Sequence, residues 1–128
     1  MKLLALPAAA LMVVCSIAHA ETKITPLMQT DLADMPGKEG MMLTVEFSPG
    51  EAGAIHQHNA HTFVYVLEGS IVMQVRGGKE TTLVPGQSFY ESPTDIHVVG
   101  KNASASKAAK FLVVFVKTKG APPVLPAE

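Results

Sequence analysis

The chain has 128 residues, with ten lysines and arginines against eleven aspartates and glutamates, and one cysteine. A formal charge of −1, spread without runs, excludes a basic surface for nucleic acid or for anionic membranes. This length gives one domain with a modest core, and a lone cysteine gives no internal disulfide.

The first twenty residues, MKLLALPAAALMVVCSIAHA, combine one early cation, Lys2, a long apolar run and a small-residue ending at Ala18-His19-Ala20. That is the pattern of a cleaved secretory signal. As a membrane anchor the run 3–18 is short, contains Pro7 and lacks cations after it. Cys15 is a poor lipoprotein site, because Val14 stands where a small residue is usual. The mature chain is therefore expected to begin at Glu21, periplasmic or secreted, with no membrane segment after cleavage. Removing twenty residues from 128 leaves 108, without cysteine. Stability must then come from packing, oligomerisation or a metal.

Residues 23–40, KITPLMQTDLADMPGKEG, contain Pro26, Pro36, Gly37 and Gly40 and predict an irregular or edge-strand arm. Short runs rich in β-branched and aromatic residues follow at 41–47, 62–67, 70–75, 81–84, 87–91, 96–100 and 110–116. Turn residues separate them: Ser48-Pro49-Gly50, Glu68-Gly69, Gly77-Gly78, Pro85-Gly86 and Ser92 to Asp95. No segment after Glu21 carries a helical period with caps, and residues 102–109 are small and polar, as in a loop. Seven short strands at this spacing predict an all-β sandwich or barrel, in which residues two apart on a strand face one interior. The organisation expected is a signal at 1–20, an arm at 21–40, a β-domain at 41–119 and a Pro-rich tail at 120–128. The tail is expected to be extended and to pack on a partner subunit.

Four of the five histidines follow the signal, and three of them, His56, His58 and His61, fall within six positions; the fourth is His97. An isolated histidine is most often a surface or hydrogen-bonded residue, and His61, out of phase with the pair, fits that reading as well as a ligand role. His56 and His58 are different, because positions i and i+2 of a strand put both imidazoles on one face. A third ligand from another strand, His97, completes a facial set for a divalent metal. Asn59-Ala60 could turn the chain and bring His61 round.

The segments around these histidines resemble the cupin superfamily. Gly50, EAGAI, His56-Gln57-His58 and Gly69 match the spacing of its first motif; Gly86, QSFYESPTDI and His97 match its second. The resemblance spans about residues 41–116 and implies a cupin double-stranded β-helix, a jelly-roll barrel. It departs from the family where the glutamate of the first motif would fall at Thr62 or Phe63, which carry no carboxylate. The proline turn, Ser92-Pro93-Thr94, is shifted by one position, and the expected asparagine comes one position late, at Asn102. Three imidazoles, His56, His58 and His97, are thus carried over. His61, beside the empty glutamate position, could replace the fourth ligand. Glu91 could approach the metal or act as a catalytic base. Iron, manganese, nickel, copper and zinc all accept imidazole, and the sequence does not choose among them.

The resemblance implies a metal-dependent enzyme of the quercetin-dioxygenase-like sort, acting on a small anionic or enolic substrate. The second function class is a non-catalytic cupin that binds a small molecule or the metal itself, since fold alone does not establish function. Methionines at 28, 35, 41, 42 and 73 have no metal-motif spacing and read as core fillers. Phe63, Tyr65, Met73, Phe89 and Phe115 are expected to line an apolar pocket. Small cupins commonly form homodimers, by pairing sheets or exchanging N-terminal strands, and the arm is suited to such an exchange.

Overall fold

The computed structural model describes residues 21–128, and the expected secretory signal lies outside the described residues. Ten strands follow in chain order: β1 (Lys23–Asp31), β2 (Lys38–Phe47), β3 (His56–Gln57), β4 (His61–Glu68), β5 (Ile71–Val75), β6 (Thr81–Leu83), β7 (Ser88–Glu91), β8 (Ile96–Asn102), β9 (Ala109–Thr118) and β10 (Leu125–Pro126). They form two five-stranded antiparallel sheets, β1-β2-β9-β4-β7 and β10-β3-β8-β5-β6. The architecture is the all-β jelly-roll barrel. Among the described residues no helix is long and apolar enough to cross a membrane.

The alternation in the sequence sets which side chains fill the barrel. Along β4, Thr62, Val64 and Val66 are buried while His61, Phe63, Tyr65 and Leu67 are exposed. Across the register they meet the inward residues of β9, in the pairs Thr62 with Phe115, Val64 with Val113 and Val66 with Phe111. Strand β2 adds Leu43 and Val45 opposite Val113 and Phe111 from the other side. Each such side chain removed from water contributes about 1.5–3 kcal/mol. The β4–β5 turn depends on Gly69, at φ +70°, where a Cβ would lie 2.5 Å from the Ala108 carbonyl oxygen.

The arm is more regular than its breakers suggest. Lys23–Asp31 pairs with β2 over its whole length, from Lys23 opposite Glu46 to Asp31 opposite Glu39, with a slip between Pro26 and Met28. Proline is tolerated there because β1 is an edge strand. Residues between β8 and β9 form the expected loop, organised by the buried Asn102, whose amide donates to the Ser48 and Lys107 carbonyl oxygens at 3.0 and 2.7 Å. The Pro-rich tail is extended, and its β10 pairs with β3 of its own chain, Leu125 opposite Gln57 and Pro126 opposite His56. An extended proline segment suits this edge, since only one of its sides needs a partner.

Candidate metal centre

The short strand β3 lies between β10 and β8, and His56 stands directly opposite His97 in the β3–β8 register. His58, two residues on, faces the same interior. His97 reaches that interior through a bulge: Met73 pairs with Gly100 but Val75 pairs with His97, so three residues of β8 span two of β5. The extra residue puts His97 and Gly100 on one face, where a regular strand would oppose them. Gly100 then makes room for the ring, since a Cβ there would lie 2.7 Å from His97 Cε1 and 3.0 Å from Nε2. Glu91 ends β7 and points inward opposite Thr62 on β4.

These four residues converge. One ligand atom each from His56, His58, Glu91 and His97 lies within 4.8 Å of all the others. His56 Nε2 is 3.1 Å from His58 Nε2 and 3.3 Å from His97 Nδ1. Glu91 Oε2 is 3.6 Å from both His58 Nε2 and His97 Nδ1. His56 Nδ1 donates to the Ala54 carbonyl oxygen and His58 Nδ1 to that of Pro123, each at 2.8 Å. In the neutral rings both Nε2 atoms are then bare lone pairs turned toward each other, an arrangement that only a shared proton or a cation reconciles. Neither oxygen of Glu91 has a hydrogen-bond partner, although the residue is only 1% exposed.

Burial dominates the electrostatics. It pushes the Glu91 carboxyl up to about 7, with the Asp95 carboxylate adding to the effect. It also pushes His58 and His97 down to about 4, with His56 contributing. His58 and His97 are therefore neutral at ordinary pH, as metal binding requires. Three nitrogens and one carboxylate, convergent and buried except for the half-buried His56, are a donor set that could hold a divalent metal.

The cluster opens into a cavity of about 350 Å³, walled by apolar side chains including Leu43, Val45, Met73 and Phe115. Thr22, Ile24 and Pro26 of the arm and Pro123 and Val124 of the tail also line it. Phe63 and Tyr65, expected in the pocket, point outward because Thr62 and Val64 hold the inward phase of β4. Phe89 packs against the core but does not reach the cavity.

His61 is not brought to the cluster. Asn59, at φ +48°, does turn the chain, but Ala60 takes the buried position and His61 emerges on the outer face. There its Nδ1 lies 2.8 Å from the Tyr90 hydroxyl, and the two rings stack. Sequence reasoning missed the Pro123 carbonyl and the space left by Gly100. A Pro-Pro pair after the last apolar strand was the available signal for the first; the second depends on a bulge that no local pattern announces.

A jelly-roll barrel with a histidine–glutamate cluster at its centre defines a class, and the sequence match names it. Residues 43–115 match the family described as Cupin domain; that is more than half of the chain, and the chain belongs to this family. The fold is similar to that of TT1209 from Thermus thermophilus, at 26% identity and a TM-score of 0.61 over 76% of this chain and 84% of that one. It is similar also to a conserved protein with a double-stranded β-helix domain from Klebsiella pneumoniae, at 20% identity, with a TM-score of 0.66 over 87% and 88%. The DMSP lyase DddQ from Ruegeria pomeroyi shares 21% identity and a TM-score of 0.59 over 67% of this chain, which spans only 42% of that enzyme. No curated protein sequence matches the chain.

Proposed function

We propose that the protein is an exported, homodimeric cupin that binds one divalent metal ion through His56, His58, His97 and Glu91. In this reading it is a dioxygenase-like enzyme acting on a small molecule whose enol, phenol or carboxylate group sits on an apolar body. The observation that carries the reading is Glu91: a buried carboxyl without a hydrogen bond, facing three imidazole nitrogens whose positions converge. Each unsatisfied buried polar group costs about 1–3 kcal/mol, and a cation held by Glu91 and the imidazole nitrogens facing it would satisfy the unpartnered carboxylate.

When bound, the ion supplies Lewis acidity and open positions for a chelating oxygen anion. The chain's own residues supply the rest. His56, His58 and His97 would offer imidazole nitrogens, and Glu91, raised to about 7, would serve as the fourth ligand in its deprotonated form. One carboxylate beside three imidazoles lowers the charge of the centre from +2 to +1, leaving it attractive to a single anionic oxygen. Leu43, Val45 and Phe115 receive the apolar body and keep water from the reacting group. Export is read from residues 1–20, and the homodimer from the apolar outer face of β4, where Phe63 and Tyr65 are 48% and 46% exposed.

The test is metal content, by elemental mass spectrometry of the mature protein beside a His56→Ala variant. Near-stoichiometric metal in the first and none in the second is the expected result. No metal in either, even after reconstitution, overturns the reading. Stoichiometric metal without turnover on flavonols, β-diketones and phenols would leave a metal-binding cupin without catalysis.

A further inference from the structure

The tail after β9 passes from one sheet to the other beside the metal cluster and is fastened along the way. At its start the buried Lys117 ammonium pairs with Glu39 and donates to the Ala121 carbonyl oxygen at 2.6 Å, while Gly120 N–H donates to Glu39 Oε1 at 3.3 Å. In its middle the Pro123 carbonyl accepts the His58 Nδ1 proton at 2.8 Å. At its far end β10 pairs with β3 and covers what would otherwise be the free edge of the strand that carries His56.

We infer that residues 119–128 are a positioning strap for the metal centre, with the Pro123 carbonyl as the group that sets His58. This rests on the metal-binding reading above. A carbonyl oxygen only accepts, so it selects the His58 tautomer protonated at Nδ1 and leaves the Nε2 lone pair facing the cluster. Partners of this kind typically account for 10–100-fold of metal affinity. The composition serves the same end. Pro122 and Pro123 have fixed φ, so the strap loses little entropy when it places that carbonyl. Pro123 and Val124 also wall the cavity, so the segment that orients a ligand also shapes the space beside it.

Two variants of the full chain test the strap: a truncation that removes residues 121–128, and Pro122→Gly with Pro123→Gly, which keeps the carbonyl but frees its position. Zn(II) affinity by chelator competition is expected to fall about 10–100-fold in the truncation and by a smaller factor in the glycine variant. Long-range proton–nitrogen NMR on the metal-free full chain is expected to show His58 protonated at Nδ1, and a mixture of tautomers in the glycine variant. Affinity within about twofold of the parent in a folded truncation overturns the inference, as does a His58 protonated at Nε2 in the full chain. If the truncation does not fold, the glycine variant decides by the same two readouts. A full chain that binds no Zn(II) but shows the expected tautomers would overturn the metal-binding reading and leave the strap's hold on His58 standing.

Discussion

A metal ion entering the cluster meets Glu91 in its protonated form below pH about 7, because burial, reinforced by Asp95, raises that carboxyl from 4.5. Binding must then expel one proton, and apparent affinity falls about tenfold for each pH unit below 7. Above 7 the carboxylate is already charged and this dependence disappears. His58 and His97, held down to about 4 by burial, add no proton of their own until the solution approaches that value. Calorimetry in buffers of different ionisation enthalpy is expected to count one proton released from Glu91 per Zn(II) near pH 6. In Glu91→Gln this contribution is expected to vanish and binding to weaken; an unchanged proton count in that variant would contradict the assignment. At this scale the sequence was most legible where period alone decides. His56 and His58 share a face because they are two apart on a strand. The relation of His97 to Gly100 was not legible, since they share a face only through the β8 bulge.

Strand pairing explains how the cluster obtains a carboxylate that the first motif lacks. Thr62, at one of the two places where the family glutamate would fall, points inward from β4, and its direct partner across the register is Glu91 on β7. Directly opposed Cβ atoms in an antiparallel pair are about 5 Å apart, so a carboxylate moved across the pair still addresses the same interior. The exchange variant Thr62→Glu with Glu91→Thr is expected to keep metal within about tenfold of the parent, while Glu91→Thr alone loses about 100-fold or more, comparable to a lost ligand contact. Equal losses in the two variants, measured by competition titration, would show that the strands are not interchangeable in this role. Most strands could be read from the alternation of the sequence, as β4 and β9 show. The β1–β2 hairpin was harder: Pro26 and the glycines before residue 41 argue for irregularity, and only pairing with a neighbour makes an edge strand of that segment. The tail was harder still, because its contacts are made by a backbone carbonyl, which no side-chain pattern encodes.

The outer face of the sheet β1-β2-β9-β4-β7 carries Phe63, Tyr65, Leu67 and Tyr90, all exposed, with Leu112 and Val114 of the neighbouring β9 half-buried beside Tyr65 and Phe63. In the proposed homodimer this exposed apolar face is the surface to be covered, and a closed twofold pair of identical sheets is the simplest way to cover it. Sedimentation is expected to show a dimer, and Phe63→Lys a monomer with unchanged metal content; a monomeric parent would remove this part of the proposal. The outward placement of this face was not legible in the sequence, where Phe63 and Tyr65 were assigned to the pocket, because alternation divides two faces without saying which is inside. The placement of Thr62 and Val64 settles that for β4. The same two-sided construction bears on the barrel itself. His56 and His97 hang from one sheet and Glu91 from the edge strand of the other, so an ion they share is a cross-brace between the two halves. With the only cysteine at position 15, residues 21–128 have no covalent staple for that task. A chelator should then act on this protein as a reductant acts on a disulfide-built one, slackening the scaffold in the same stroke that empties the site.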